Sequence, residues 1–157
     1  MKALESLAKA SAVLAGSLLT LITLMTCASI IGRNTTGWTL VGDFELSASA
    51  AGAAIALFMP WCQWQRGHII VDFFTLHASR GVQQGLDRFG ALLMAATTGL
   101  LAWRSSLGGI SAWKSNSGSM MLGFPEWIVY VGIVTGLALT AAIALAQALR
   151  GPGQVRT

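Results

Sequence analysis

Charge is what this sequence has least of. Only 10% of its 157 residues are Asp, Glu, Lys or Arg, against about a quarter in an ordinary soluble domain, so little is left over for a water-soluble unit. Cysteine is scarce too. Cys27 and Cys62 are the only two; they fall toward opposite ends of neighbouring apolar runs, so spacing does not argue for a disulfide and they read as buried apolar thiols. The net charge of +4 comes from scattered cations, with no basic helix face and no interleaved aromatics, which excludes a nucleic-acid surface. The two histidines, His68 and His77, have no cysteine or carboxylate at metal-ligand spacing. Neither lies in an apolar run, where an axial haem ligand would have to be. There is no serine in a nucleophile elbow and no glycine-rich phosphate loop. The chain reads as a non-enzyme that needs no cofactor of its own.

What is present is apolar length. Four stretches carry no charged residue: 10–32, 46–65, 89–103 and 127–149. Three reach the roughly 20 residues that a helix needs to cross a ~30 Å hydrocarbon core, and the shorter third does so once its flanks from Val82 to Arg104 are counted. Backbone in lipid must satisfy its own hydrogen bonds, so each segment is expected to be a helix. The first is too long for the core of a secretory signal, despite Lys2 and Lys9, and is read as retained. The expected fold is all-α: one membrane domain, with spans at about 10–32, 43–65, 82–104 and 125–149.

Local signals refine this. Asp43 and Glu45 open the second span where the helix dipole favours negative charge, and Pro60 removes one backbone donor near its end, where a kink is expected. The segment between spans two and three is too long for a turn. On a helical wheel Val71, Phe74, Ala78, Val82 and Leu86 share one side, and Asp72, Ser79, Arg80, Gln83 and Asp87 the other, although Phe73 and Leu76 break the pattern. This is the outline of an interfacial amphipathic helix at about 69–80 on the cytoplasmic side; a loop with an early start to span three is the alternative. Arg104 is expected to snorkel outward, followed by an outer loop with Gly108-Gly109 and a serine-rich turn. Pro125 and Glu126 mark the start of span four. With four spans both termini share one side. Lys2, Lys9, Arg66, Arg80, Arg88, Arg150 and Arg156 collect there, against Arg33, Arg104 and Lys114 opposite, so the positive-inside rule puts both termini in the cytoplasm.

The middles of the spans, near Leu21, Ile55, Thr97 and Ala138, hold no ionisable residue. Such groups usually mark ion or substrate pathways, so their absence counts against autonomous ion-coupled transport. Packing surface is what the spans offer. Gly132, Gly136, Thr140, Ala144 and Ala148 recur every four residues, as do Ala48, Gly52 and Ala56, and such strips let helix backbones approach closely, within the chain or against another subunit. Arg33, Asp43, Glu45, Arg104 and Glu126 map to one interface, where they either cross-pair or are separately hydrated.

Four elements then carry a resemblance. They are Arg33-Asn34 at the end of span one, Gly42-Asp43-Phe44-Glu45-Leu46 opening span two, Arg66-Gly67-His68-Ile69-Ile70-Val71-Asp72 after it, and Ser119-Met120-Met121-Leu122-Gly123-Phe124-Pro125-Glu126-Trp127 leading into span four. In this order on a four-span frame, they resemble the small, DctQ-like membrane subunit of tripartite ATP-independent periplasmic (TRAP) transporters. Departures are an outer loop without the family's frequent tryptophan–double-carboxylate pattern and the unusual Phe58-Met59-Pro60-Trp61. The resemblance implies a bacterial inner-membrane scaffold with three kinds of partner: a large membrane subunit that carries substrate and sodium and moves as an elevator, a periplasmic binding protein, and membrane lipids. It also makes His68 and Asp72, with the helix-end charges and the strip Gly132 and Gly136, candidates for partner contact. Two other readings remain: an autonomous four-helix exporter acting as a homodimer, which needs a carboxylate inside a span, and a cytochrome-type anchor, which needs histidines there.

Overall fold

The computed structural model describes residues 2–37, 41–65 and 80–150. Four helices account for nearly all of them: α1 (Lys2–Thr35), α2 (Asp43–Trp64), α3 (Arg80–Lys114) and α4 (Trp127–Arg150). Within them, Lys2–Thr35, Asp43–Trp64 and Trp127–Leu149 are long and apolar enough to cross a membrane. The chain is a multi-pass membrane protein. The expected interfacial helix, with His68 and Asp72, falls outside the described residues up to the start of α3 at Arg80.

The helices are ordered side by side as α1, α2, α4, α3. α4 packs along both α3 and α2, α2 along α1, and α1 meets α4 only marginally. The directions follow from paired contacts. Ser29 reaches Asp43 and Thr26 meets Ser47, so α1 and α2 are antiparallel. Gly132 sits on Ala53 and Gly136 on Ala56, so α2 and α4 are parallel. Gly99 faces Ala141 while Gly108 and Gly109 face Tyr130, so α3 and α4 are antiparallel. The small residues set this arrangement. A Cβ on Gly132 would stand 3.2 Å from that of Ala53, and one on Gly136 would collide with the carbonyl of Ala56. With such residues at the crossing, dispersion and short backbone contacts replace the hydrophobic drive that lipid removes. Large side chains such as Leu21, Leu24, Phe89 and Leu100 face outward instead.

Three expectations change. α3 does not stop at Arg104 but continues to Lys114. Gly108 and Gly109, which resemble a turn, are helical, and the Tyr130 side chain occupies the space their missing side chains leave, with a ring carbon 3.0 Å from the ideal Cβ position of Gly108 and its Cβ 3.0 Å from that of Gly109. The stop comes at Asn116, in the left-handed region at φ 51°. There Ser117 N–H bonds the Ala112 carbonyl and Asn116 N–H that of Trp113, a Schellman ending. Third, Cys27 and Cys62 are free and exposed on the outer surfaces of α1 and α2, not buried between helices. α2 continues through Pro60, whose ring is buried.

Candidate functional site at the N-terminal ends of α2 and α4

The N-termini of α2 and α4 lie at the same end, and the segment between α3 and α4 folds back over α2. Ser119 N–H bonds Phe124 O at 2.9 Å and Gly123 N–H bonds Ser119 O at 3.0 Å, while Gly118 and Pro125 form an isolated β-bridge. This closes a tight loop with Met120, Met121 and Leu122 at its tip. Glu45, in the first turn of α2, holds the loop: Met121 N–H donates to both carboxylate oxygens at 3.2 Å. The Ser119 hydroxyl and the N–H groups of Met120 and Leu122 add to the same favourable field. Gly42 completes the fit. It has φ 82°, and a Cβ there would stand 2.5 Å from a Leu122 methyl, so both conformation and space demand glycine. Phe124 N–H also donates to the Ser119 hydroxyl at 3.3 Å.

Asp43 takes a different partner, the Ser29 hydroxyl of α1 at 2.7 Å. The two carboxylates at the start of α2 thus divide their work: Asp43 ties in α1 and Glu45 ties in the loop before α4. Arg33, Arg104 and Glu126 are exposed, and the structure brings neither arginine to Asp43 or Glu45. Glu126 contributes through its backbone, since its carbonyl accepts from Val129 N–H at 3.0 Å and starts α4. Gly132 and Gly136 are spent on α2. Gly52, on the other strip, has nothing within 4 Å of an added Cβ.

Beneath the loop, α1, α2 and α4 border an apolar cleft of about 320 Å³. Leu18, Leu46, Ala53, Leu57, Phe124 and Ile128 line it, and Glu45 and Ser119 bring its polar atoms. Ser49 adds a third polar side chain, and the Ser119 hydroxyl bonds the Glu45 carboxylate. Among the described residues no group of three or more His, Cys, Asp or Glu is placed to hold a metal ion.

Sequence reasoning missed Gln63 and Gln147. Both are buried, Gln63 Nε2 donates to Gln147 Oε1 at 2.8 Å, and Gln147 Nε2 donates to the Gln63 carbonyl at 2.9 Å. The pair joins α2 to α4 at the end opposite Glu45 and supplies a donor to a carbonyl in the last turn of α2, where intrahelical donors run out. An amide in each of two apolar segments, at corresponding ends, is the signal that the sequence carries. Ser119 was missed because a loop hydroxyl has no periodicity.

The Glu45 carboxylate joins the start of α2 to the loop before α4. The family of the tripartite ATP-independent periplasmic transporters, DctQ component, matches residues 22–152, which takes in α2, α3 and α4 whole and the C-terminal part of α1 from Ile22 to Thr35. The chain belongs to the DctQ family. No curated protein and no solved structure matches it. The DctQ match covers both carboxylates of α2, the clasped loop and the glutamine pair, so the joint lies within the family domain. Met1 to Leu21, which includes the N-terminal part of α1, precedes the matched region.

Proposed function

We propose that this DctQ protein is the small permease subunit of a TRAP transporter: a non-catalytic scaffold that binds and steadies a large sodium-coupled elevator subunit in the bacterial inner membrane, with both termini cytoplasmic. A periplasmic substrate-binding protein completes the assembly, and sodium belongs to the large subunit. α3 is read as the fourth span, since it packs antiparallel along α4.

One observation carries this reading. α1 has no Asp, Glu, Lys, Arg or His between Lys9 and Arg33, α2 none after Glu45, and α4 none before Arg150. Ion coupling needs charge or coordinating groups at depth, and these three helices spend their interior on small-residue contacts. A carrier domain that moves through a membrane exerts force on whatever holds it. A row of helices tied at the outer end by Asp43 and Glu45, and at the other by Gln63 and Gln147, suits a fixed support.

The test is reconstitution. Vesicles holding this chain alone should accumulate no solute under a sodium gradient, with or without binding protein, whereas vesicles that also hold the large subunit should do so when binding protein is added. Accumulation by this chain alone overturns the scaffold reading.

A further inference from the structure

The level at which Arg104 sits carries the inference. Contacts of Gly99 with Ala141, and of Gly108 and Gly109 with Tyr130, fix the register of α3 on α4. Counting between them puts Arg104 at the level of Thr135 and Gly136. Thr135 lies eight residues inside Trp127, about 12 Å at 1.5 Å per residue. It is twelve residues, or about 18 Å, from Gln147 at the other end. Arg104 is therefore not at a helix end but inside the stretch over which α4 is apolar enough to cross a membrane.

Escape to the outer surface works against the helix. α3 runs toward the outer end, and every helical Cα–Cβ bond tilts toward the N-terminus, so the arginine stem starts out directed deeper. The side chain is exposed; one turn to either side, Leu100 and Leu107 are exposed too, as is Trp103. α4 brings no charge to this level, being uncharged from Trp127 to Leu149. Among the described residues the carboxylates all lie elsewhere. Asp43 and Glu45 open α2, Glu126 precedes α4, and Glu5 and Asp87 lie near the opposite helix ends. A guanidinium at such depth is expensive unless it is paired.

We infer that the α3 face bearing Arg104, with Leu100, Trp103 and Leu107, is the docking surface for a second membrane-embedded chain, which meets Arg104 with a carboxylate nearer the outer than the inner side. Among the described residues, a second copy of this chain in the same orientation brings no acid to that level, so the partner is a different protein. On the proposed function, on which this inference rests, it is the large membrane subunit.

The test uses the full chain co-expressed with its large subunit, extracted in mild detergent and captured through a tag on the small one. R104Q should recover roughly tenfold less large subunit or worse, the usual consequence of stranding one member of a desolvated pair, while R104K should keep most of it. Independently of any folding defect, a photo-reactive residue at Leu107, with Arg104 intact, should crosslink to the large subunit, and one at Val13 on α1 should not. R104Q that recovers the large subunit at the wild-type level overturns the inference, whether the guanidinium then proves to sit on a lipid phosphate or in water. A crosslink from Val13 with none from Leu107 does the same. A wild-type chain that captures no large subunit overturns the subunit reading and this inference together, whereas the other two results overturn this inference alone.

Discussion

Gly136 of α4 lies against the backbone carbonyl of Ala56 in α2 so closely that no side chain fits between them. The next contact, Gly136 with the backbone nitrogen of Leu57, leaves 2.9 Å from an ideal Cβ position. Backbone cannot rotate away as a side chain can, so a methyl group here must push the two central helices apart. Gly136→Ala should therefore destabilise the protein by about 1–3 kcal/mol, the usual range for overpacking. Gly52→Ala is the matched control, since nothing stands within 4 Å; it should stay within about 1 kcal/mol of the parent, on the stabilising side. Thermal unfolding in detergent, followed by circular dichroism, compares them. Equal midpoints for the two variants would show that the crossing is looser than this contact requires.

At the other end of the same helix pair, the amide of Gln147 serves two atoms of Gln63. Gln147→Leu removes both bonds, although the Gln63 carbonyl keeps the N–H of Gln65. The expected cost is about 1 kcal/mol, in line with interhelical hydrogen bonds in membranes. Replacing both glutamines with leucine should cost less than the sum of the single changes, because each single change already removes the amide–amide bond that the two share. A double-mutant cycle on unfolding free energies checks this, and strict additivity would mean that the two amides do not interact.

Much of the helical frame was legible because it depends on composition. Long charge-free runs become helices in lipid whatever their neighbours, and the starts of α2 and α4 are marked by Asp43, Glu45 and Pro125. The length of α3 was not legible. Ser105 to Lys114 has the glycine and serine of a turn, and the Tyr130 side chain that fills the space above Gly108 and Gly109 is distant in sequence. Nor was the choice of partners at the start of α2. Asp43 and Glu45 invite arginines on a charge map, yet hydroxyl and backbone donors already stand within bonding distance. Gly132 and Gly136 announced a close contact without saying with what; only the order of the helices makes it α2.

The clasp at Glu45 gives a local readout. Glu45→Gln keeps the shape of the side chain but replaces one acceptor oxygen with a donor and removes the charge, so Met121 N–H loses one of its two acceptors. Hydrogen exchange at the amides of residues 120–122 should quicken, while α2 and α4 keep their protection. Asp43→Asn should leave that loop unchanged, since Asp43 bonds Ser29 of α1. If loop exchange is the same in both variants, Glu45 does not hold the loop.

Orientation follows from where excess cations sit, and it can be read with single thiols. Cys27 and Cys62 are free and exposed, so both are first replaced by alanine, a change that disturbs no helix contact described above. Gly37 follows α1 at the end that carries Arg33, and Gln65 caps α2 at the end nearest Arg66. Seven of the ten cations collect on the Gln65 side on the four-span reading, and cationic loops resist translocation. Gly37→Cys should then react with a membrane-impermeant maleimide in intact spheroplasts, and Gln65→Cys only after lysis. The reverse pattern would turn the whole protein over without altering any contact between its helices. It would also place the Glu45 clasp in the cytoplasm, where no periplasmic binding protein could approach the clasped loop.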